Sequence, residues 1–95
     1  MSSSATNWSV YLVRNRLNAL YCGISIDVVR RFEQHCNGTG AKALRGKMPL
    51  SLEWSREVGD QATALKLERK IKRLSKQQKE RIIFNQLDVD EINVN

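Results

Sequence analysis

Two runs of β-favouring residues, WSVYLVR (Trp8 to Arg14) and LYCGI (Leu20 to Ile24), flank the polar stretch NRLN, and no other feature constrains the fold as strongly. They predict a two-stranded antiparallel hairpin. A hairpin alone is marginal in water, so the rest of the chain must add a strand and a helical cover. LSLEWSREV (Leu50 to Val58) alternates in the same way and supplies the third strand. Between these runs, Asp27 is a fair N-cap for a helix to about Asn37, where Gly38 stops it. GTGAKALRGKMP holds three glycines, three basic residues and the only proline, and reads as a loop. Gly59 and Asp60 then turn the chain, and Asp60 caps a second helix to about Leu74. Ser75 with Gln78 makes a capping box for a third helix to about Gln86. The expected fold class is α+β: a small three-stranded antiparallel sheet flanked by helices in the order β-β-α-β-α-α. Residues 8–86 form one domain, 1–7 a flexible N-terminus and 87–95 an acidic C-terminal tail.

Ninety-five residues suit one core and not two. No apolar run approaches the roughly 18 residues of a membrane helix, and MSSSATN lacks the basic and apolar regions of a secretory signal. A cytoplasmic protein with no membrane partner is expected. Cys22 and Cys36 form no Cys-x-x-Cys pair and His35 is the only histidine, so zinc ligands of ordinary spacing are lacking. Both thiols are expected to be buried, and any metal to be a hard cation held by carboxylate. The net charge is +6, but Asp88, Asp90 and Glu91 fall in the last eight residues, leaving sixteen basic against seven acidic side chains before them, a net +9. That excess favours nucleic acid as partner over the plainer reading of a solvated basic surface.

Four groups of residues carry possible chemistry. On a helical wheel at about 100° per residue, Ala64, Leu67, Ile71 and Leu74 share one side of the second helix while Lys66, Arg69, Lys70 and Arg73 take the other. Glu68 falls with the apolar group, where it needs a cation, metal or donors, or else pairs with Lys72 at the rim of the stripe. In the first helix Val28, Val29, Phe32 and Cys36 form the buried stripe, and Arg31 and His35, four apart, lie along its edge. They could converge on a phosphate, or be an exposed arginine and a half-buried histidine. Tyr11 and Tyr21 lie on paired strands, either as packing or as chemistry, and Gly23 allows close approach to the backbone. The loop GAKALRGKM fails as a phosphate-binding loop of the ATP type, since Ala41 stands where the first glycine belongs and Met48 where the hydroxyl belongs; no nucleotide cofactor is expected. Its Lys42, Arg45 and Lys47 suit backbone phosphates or are merely solvated. Trp8 and Trp54 are core residues or a base-stacking surface.

SVY (Ser9 to Tyr11), YCG (Tyr21 to Gly23), Arg31, His35 and Glu68, in this order and spacing, resemble the GIY-YIG nuclease superfamily, in particular its small single-domain bacterial branch. GAKALRGK and LSKQQKERI extend the resemblance, which spans about Trp8 to Ile83. Ser9 stands in place of the family's first glycine and Cys22 in place of its middle isoleucine; neither position supplies a reacting group. The resemblance implies a metal-dependent DNA endonuclease or nickase, acting in repair or recombination. It implies one divalent cation, Mg2+ or Mn2+, held by Glu68, waters and the substrate. Arg31 would neutralise charge on the phosphoryl oxygens, Tyr11 or Tyr21 would act as general base with a pKa lowered by nearby cations, and His35 would assist that transfer or orient the group. Gly23 would give the scissile strand room to pass. Two other readings stand beside this one: a non-catalytic nucleic-acid-binding module on the same scaffold, and an adaptor docking through its acidic tail.

Overall fold

The computed structural model describes residues 7–92, so all but Asn7 of the expected N-terminal segment lies outside the described residues, as do 93–95. Strands β1 (Trp8–Arg14), β2 (Leu20–Ser25) and β3 (Ser51–Gly59) and helices α1 (Val28–Cys36), α2 (Gln61–Lys72) and α3 (Lys76–Asn85) follow one another in the expected order β-β-α-β-α-α. The sheet is wholly antiparallel with strand order β2-β1-β3.

The central place of β1 explains its apolar run. Val10, Tyr11, Leu12 and Val13 are each at most 1% exposed, because alternate side chains enter two different cores. Val10 and Leu12 join Cys22, Trp54, Leu67, Ile71 and Ile82 beneath α2 and α3. Tyr11 and Val13 join Leu44, Tyr21, Val28, Phe32 and Leu52 beneath α1 and its following loop. The molecule thus has three layers, with β2 at an edge of the middle one.

Local signals set the helix ends. Asp27 accepts the Arg30 N–H at the start of α1, and both bonds of the Ser75–Gln78 capping box are present at α3. Asp60 is the N-cap of α2, but its carboxylate accepts from the Thr63 hydroxyl and not from a backbone N–H.

Four expectations need correction. Val29 is 65% exposed, and the buried place on α1 is taken by His35 at 1%. Cys22 is buried but Cys36 only half so. The loop after α1 contains a turn of 3-10 helix at Lys42–Leu44 whose Leu44 is buried, so part of it is pinned into the core. The acidic segment begins with packed residues: Leu87, Val89 and Ile92 lie against the core, and a second 3-10 turn spans Val89–Glu91. Acid content alone hid this. The Trp54 indole N–H donates to the Leu87 carbonyl at 2.9 Å, and Arg56 donates to the Gln86 carbonyl and pairs with Asp88.

Arg14, at the end of β1, ties the sheet to α3. Its guanidinium donates to both carboxylate oxygens of Glu80, at 2.6 and 2.7 Å, and lies 3.5 Å from Glu53. The Arg14 hydrogen bond first, then that of Lys76, holds the Glu80 carboxyl down to about 2 from an ordinary 4.5. A carboxylate whose folded pKa lies below its unfolded one stabilises the fold above the unfolded value, and that contribution is lost as pH falls through the folded one. The melting temperature should therefore fall between pH 4.5 and 2, and the fall should be shallower in Glu80→Gln. Equal slopes in the two proteins would show that the bridge contributes nothing.

Candidate active site

The site grows from the register of the hairpin. Tyr11 on β1 faces Gly23 on β2, and Val13 faces Tyr21, so both phenols leave the sheet on the α1 side. Gly23 is glycine for a reason internal to the fold: a Cβ there would lie 2.5 Å from Tyr11 Oη and 2.7 Å from its Cζ. The space expected to admit a DNA strand at Gly23 is filled by the Tyr11 side chain, and Gly23 is itself buried.

Helix α1 brings His35 over this pair. Its Nε2 lies 2.7 Å from Tyr11 Oη, and its ring centroid is 5.8 Å from that of Tyr11 and 5.6 Å from that of Tyr21. The two phenol rings are 6.4 Å apart, so the three rings form a compact triangle. Arg31, one turn earlier on α1, donates to Gln34 Oε1 at 2.9 Å.

Burial dominates the electrostatics. Desolvation, with Tyr21 second, pushes the Tyr11 phenol up to about 12 from 10.0, and the Arg31 cation only partly offsets this. The expectation of a phenol lowered by nearby cations is thus reversed at Tyr11, because the protein's own cation there is outweighed by the loss of water. Burial, and then Arg31, lowers the His35 pKa below its ordinary 6.5, so the imidazole is neutral at neutral pH. Tyr21 is the more accessible phenol, half-buried where Tyr11 is 1% exposed.

Glu68 approaches from the other layer. It sits on α2, which packs on the opposite face of the sheet, and its carboxylate is close enough to Cys22 to join burial in raising that thiol to about 12. Cys22 lies between Tyr21 and Gly23 in β2 but points the other way. The structure therefore gathers Tyr11, Tyr21, Gly23, Arg31 and His35 on one face of the sheet, with Glu68 across the edge strand from them. The carboxylate is 3.3 Å from Lys72 Nζ; the side chains are 16% and 52% exposed respectively. An exposed lysine can swing away at little cost.

Among the described residues no three His, Cys, Asp or Glu side chains cluster to hold a metal. One oxygen donor with a mobile counter-ion fits a hard cation that keeps most of its water, and does not fit a zinc or copper centre built from several protein ligands.

Lys42 and Arg45 are exposed and Lys47 partly so, and none is in an ion pair with a described acidic side chain. Leu44 anchors the loop that carries them. Lys66, Arg69 and Lys70 on α2, with Arg73 at its C-cap, are exposed basic side chains. Trp54 is core at 2% exposure, while Trp8 is only half-buried. No helix among the described residues is long and apolar enough to cross a membrane. Sequence reasoning missed two contributors, Gly40 and the backbone N–H of Ala41, which donates to His35 Nδ1 at 3.0 Å. The glycine-rich GTGA is the signal in the sequence for a close passage of the chain there.

Both the sequence and the fold have counterparts among known proteins. The GIY-YIG catalytic domain matches residues 7–81. A UPF0213 protein of Vibrio cholerae is 57% identical over 88 residues, 92% of this chain and 87% of that one. A UPF0213 protein of Citrobacter koseri is 55% identical, covering 82% of this chain and 78% of the other. The solution NMR structure of a UPF0213 protein from Bacillus halodurans superposes with a TM-score of 0.55 at 32% identity, covering 83% of this chain and 84% of that one.

Proposed function

The chain belongs to the GIY-YIG catalytic domain family, and from that membership and its ring cluster we propose that it is a divalent-metal-dependent DNA endonuclease or nickase of the cytoplasm, acting in repair or recombination. The observation that carries this reading is the Tyr11 hydroxyl, hydrogen-bonded to His35 beside Gly23, with Tyr21 and Arg31 on the same side of the sheet. A core tyrosine needs only one partner. Here a second phenol and the Arg31 cation gather around it besides His35.

In this reading a water attacks the phosphorus, the ester bond to the leaving sugar oxygen breaks, and that oxygen takes a proton from solvent. Tyr21, the more accessible phenol, passes its own proton to solvent as it takes up that of the attacking water. Arg31 donates to the phosphoryl oxygens, where its planar, permanently charged fork meets growing negative charge. Tyr11 and His35 fix the position of that oxygen cluster. Glu68 would hold the cation, Mg2+ or Mn2+, which when bound polarises the phosphate and steadies the leaving oxygen.

The test is cleavage of labelled single-stranded, duplex, flapped and branched DNA with magnesium or manganese. No cleavage of any of them, with DNA binding retained, would leave a nucleic-acid-binding module on the same scaffold.

Lys42, Arg45 and Lys47 are assigned to backbone phosphates. Neutralising Lys42 and Arg45 together should flatten the plot of log affinity against log salt by about 1.4 to 1.8. An unchanged slope would return the loop to plain solvation.

A further inference from the structure

The loop after α1 does more than carry basic side chains. Gly38, at φ +80°, reverses the chain, and the Thr39 N–H and hydroxyl both bond the Gln34 carbonyl, at 3.0 and 3.3 Å. Gly40 then passes so close to α1 that a Cβ would lie 2.9 Å from both the Cα and the N of His35 and nearer still to Nδ1. This close passage puts the Ala41 N–H on His35 Nδ1.

A backbone N–H only donates, so Nδ1 must be the unprotonated nitrogen and the proton resides on Nε2. A charged imidazole would set two donors against each other at Ala41. A ring turned over would leave the Ala41 N–H facing carbon. With its proton on Nε2, His35 donates to Tyr11 Oη, and the phenol's own hydrogen points away from the imidazole.

We propose that Gly40 and Ala41 are positioning residues that clamp His35 as a fixed hydrogen-bond donor, so that His35 cannot take a proton from Tyr11 and the two tyrosines have separate roles. Tyr11, buried in the core, is the fixed acceptor of the His35 hydrogen bond, and proton acceptance falls to the more accessible Tyr21. This deepens the nuclease reading of the same site and rests on it for the substrate. It also places the histidine clamp on the segment that carries Lys42 and Arg45, so one anchored turn sets both the phosphate contacts and the hydrogen-bond direction at Tyr11.

Because His35 is the only histidine, a two-bond proton–nitrogen NMR spectrum of the tag-free chain shows a single imidazole. The expected result is a protonated Nε2 and a bare Nδ1 as one population at neutral pH. Gly40→Ala, its fold checked by the amide spectrum, should shift both nitrogens toward an averaged, mixed tautomer. His35→Gln keeps an amide that can donate to Tyr11 but cannot carry a proton, and should retain cleavage within about tenfold, where His35→Ala loses about a hundredfold or more. A protonated Nδ1 or a mixed tautomer in the wild-type chain, or glutamine as damaging as alanine, overturns the proposal. If Gly40→Ala does not fold, the wild-type spectrum and the glutamine variant still decide it. The spectrum needs no cleavage, so a bare Nδ1 in a protein that cuts no DNA removes the nuclease reading and leaves the clamp standing.

Discussion

Glu68→Gln is expected to slow single-turnover cleavage by about 10²- to 10³-fold while affinity for DNA, measured without metal, stays within about twofold. The variant keeps the shape, removes the charge and turns one acceptor oxygen into a donor. It also frees Lys72, which pairs with Glu68 at 3.3 Å, so weaker DNA binding cannot be blamed on a lost cation. The result matters because Glu68 stands across β2 from the two phenols, and the nuclease reading requires one substrate to meet both sides of that strand. Arg31→Ala should cost a similar factor through lost charge stabilisation at the phosphate. Full activity in Glu68→Gln would mean that the carboxylate serves α2 alone, as the partner of Lys72.

Gly23→Ala is the second large effect, and it acts through packing. The added methyl would sit 2.5 Å from Tyr11 Oη, inside a core where Tyr11 is 1% exposed and cannot retreat. Overpacking of this kind costs about 1–3 kcal/mol, measurable by urea unfolding. Any relief moves the hydroxyl from its place 2.7 Å from His35, so cleavage should fall beyond what the unfolded fraction explains. Unchanged stability and rate would show that the hairpin absorbs the methyl, and that a bare backbone at Gly23 is needed neither for packing nor for DNA access.

Much of the fold was legible because its signals are local. The alternation of WSVYLVR and LSLEWSREV, the Asp27 cap and the Ser75–Gln78 box each act within a few residues, and each element formed where those signals place it. The apolar stripe of α2 was equally plain: Ala64, Leu67 and Ile71 are buried. The stripe of α1 misled, since pattern favours valine over histidine for a core position. A buried imidazole is stable there only because Tyr11 and the Ala41 N–H, from distant elements, satisfy both its nitrogens. Leu87, Val89 and Ile92 were overlooked for a similar reason, as isolated apolar residues among acids gain meaning only from the Trp54 surface they cover.

By itself the sequence determined the strands and α-helices, the order β-β-α-β-α-α and the residue types on which the chemistry depends. Hydrogen-bond caps and hydrophobic periods are written in neighbouring residues. Tertiary structure alone decided that β1 lies at the centre, that Tyr11 is buried with its pKa raised to about 12, and that Glu68 comes from the opposite layer. It also decided that a backbone amide of the loop sets which nitrogen of His35 bears the proton. Desolvation and hydrogen-bond direction depend on what surrounds a group in space, which residues close in sequence do not supply.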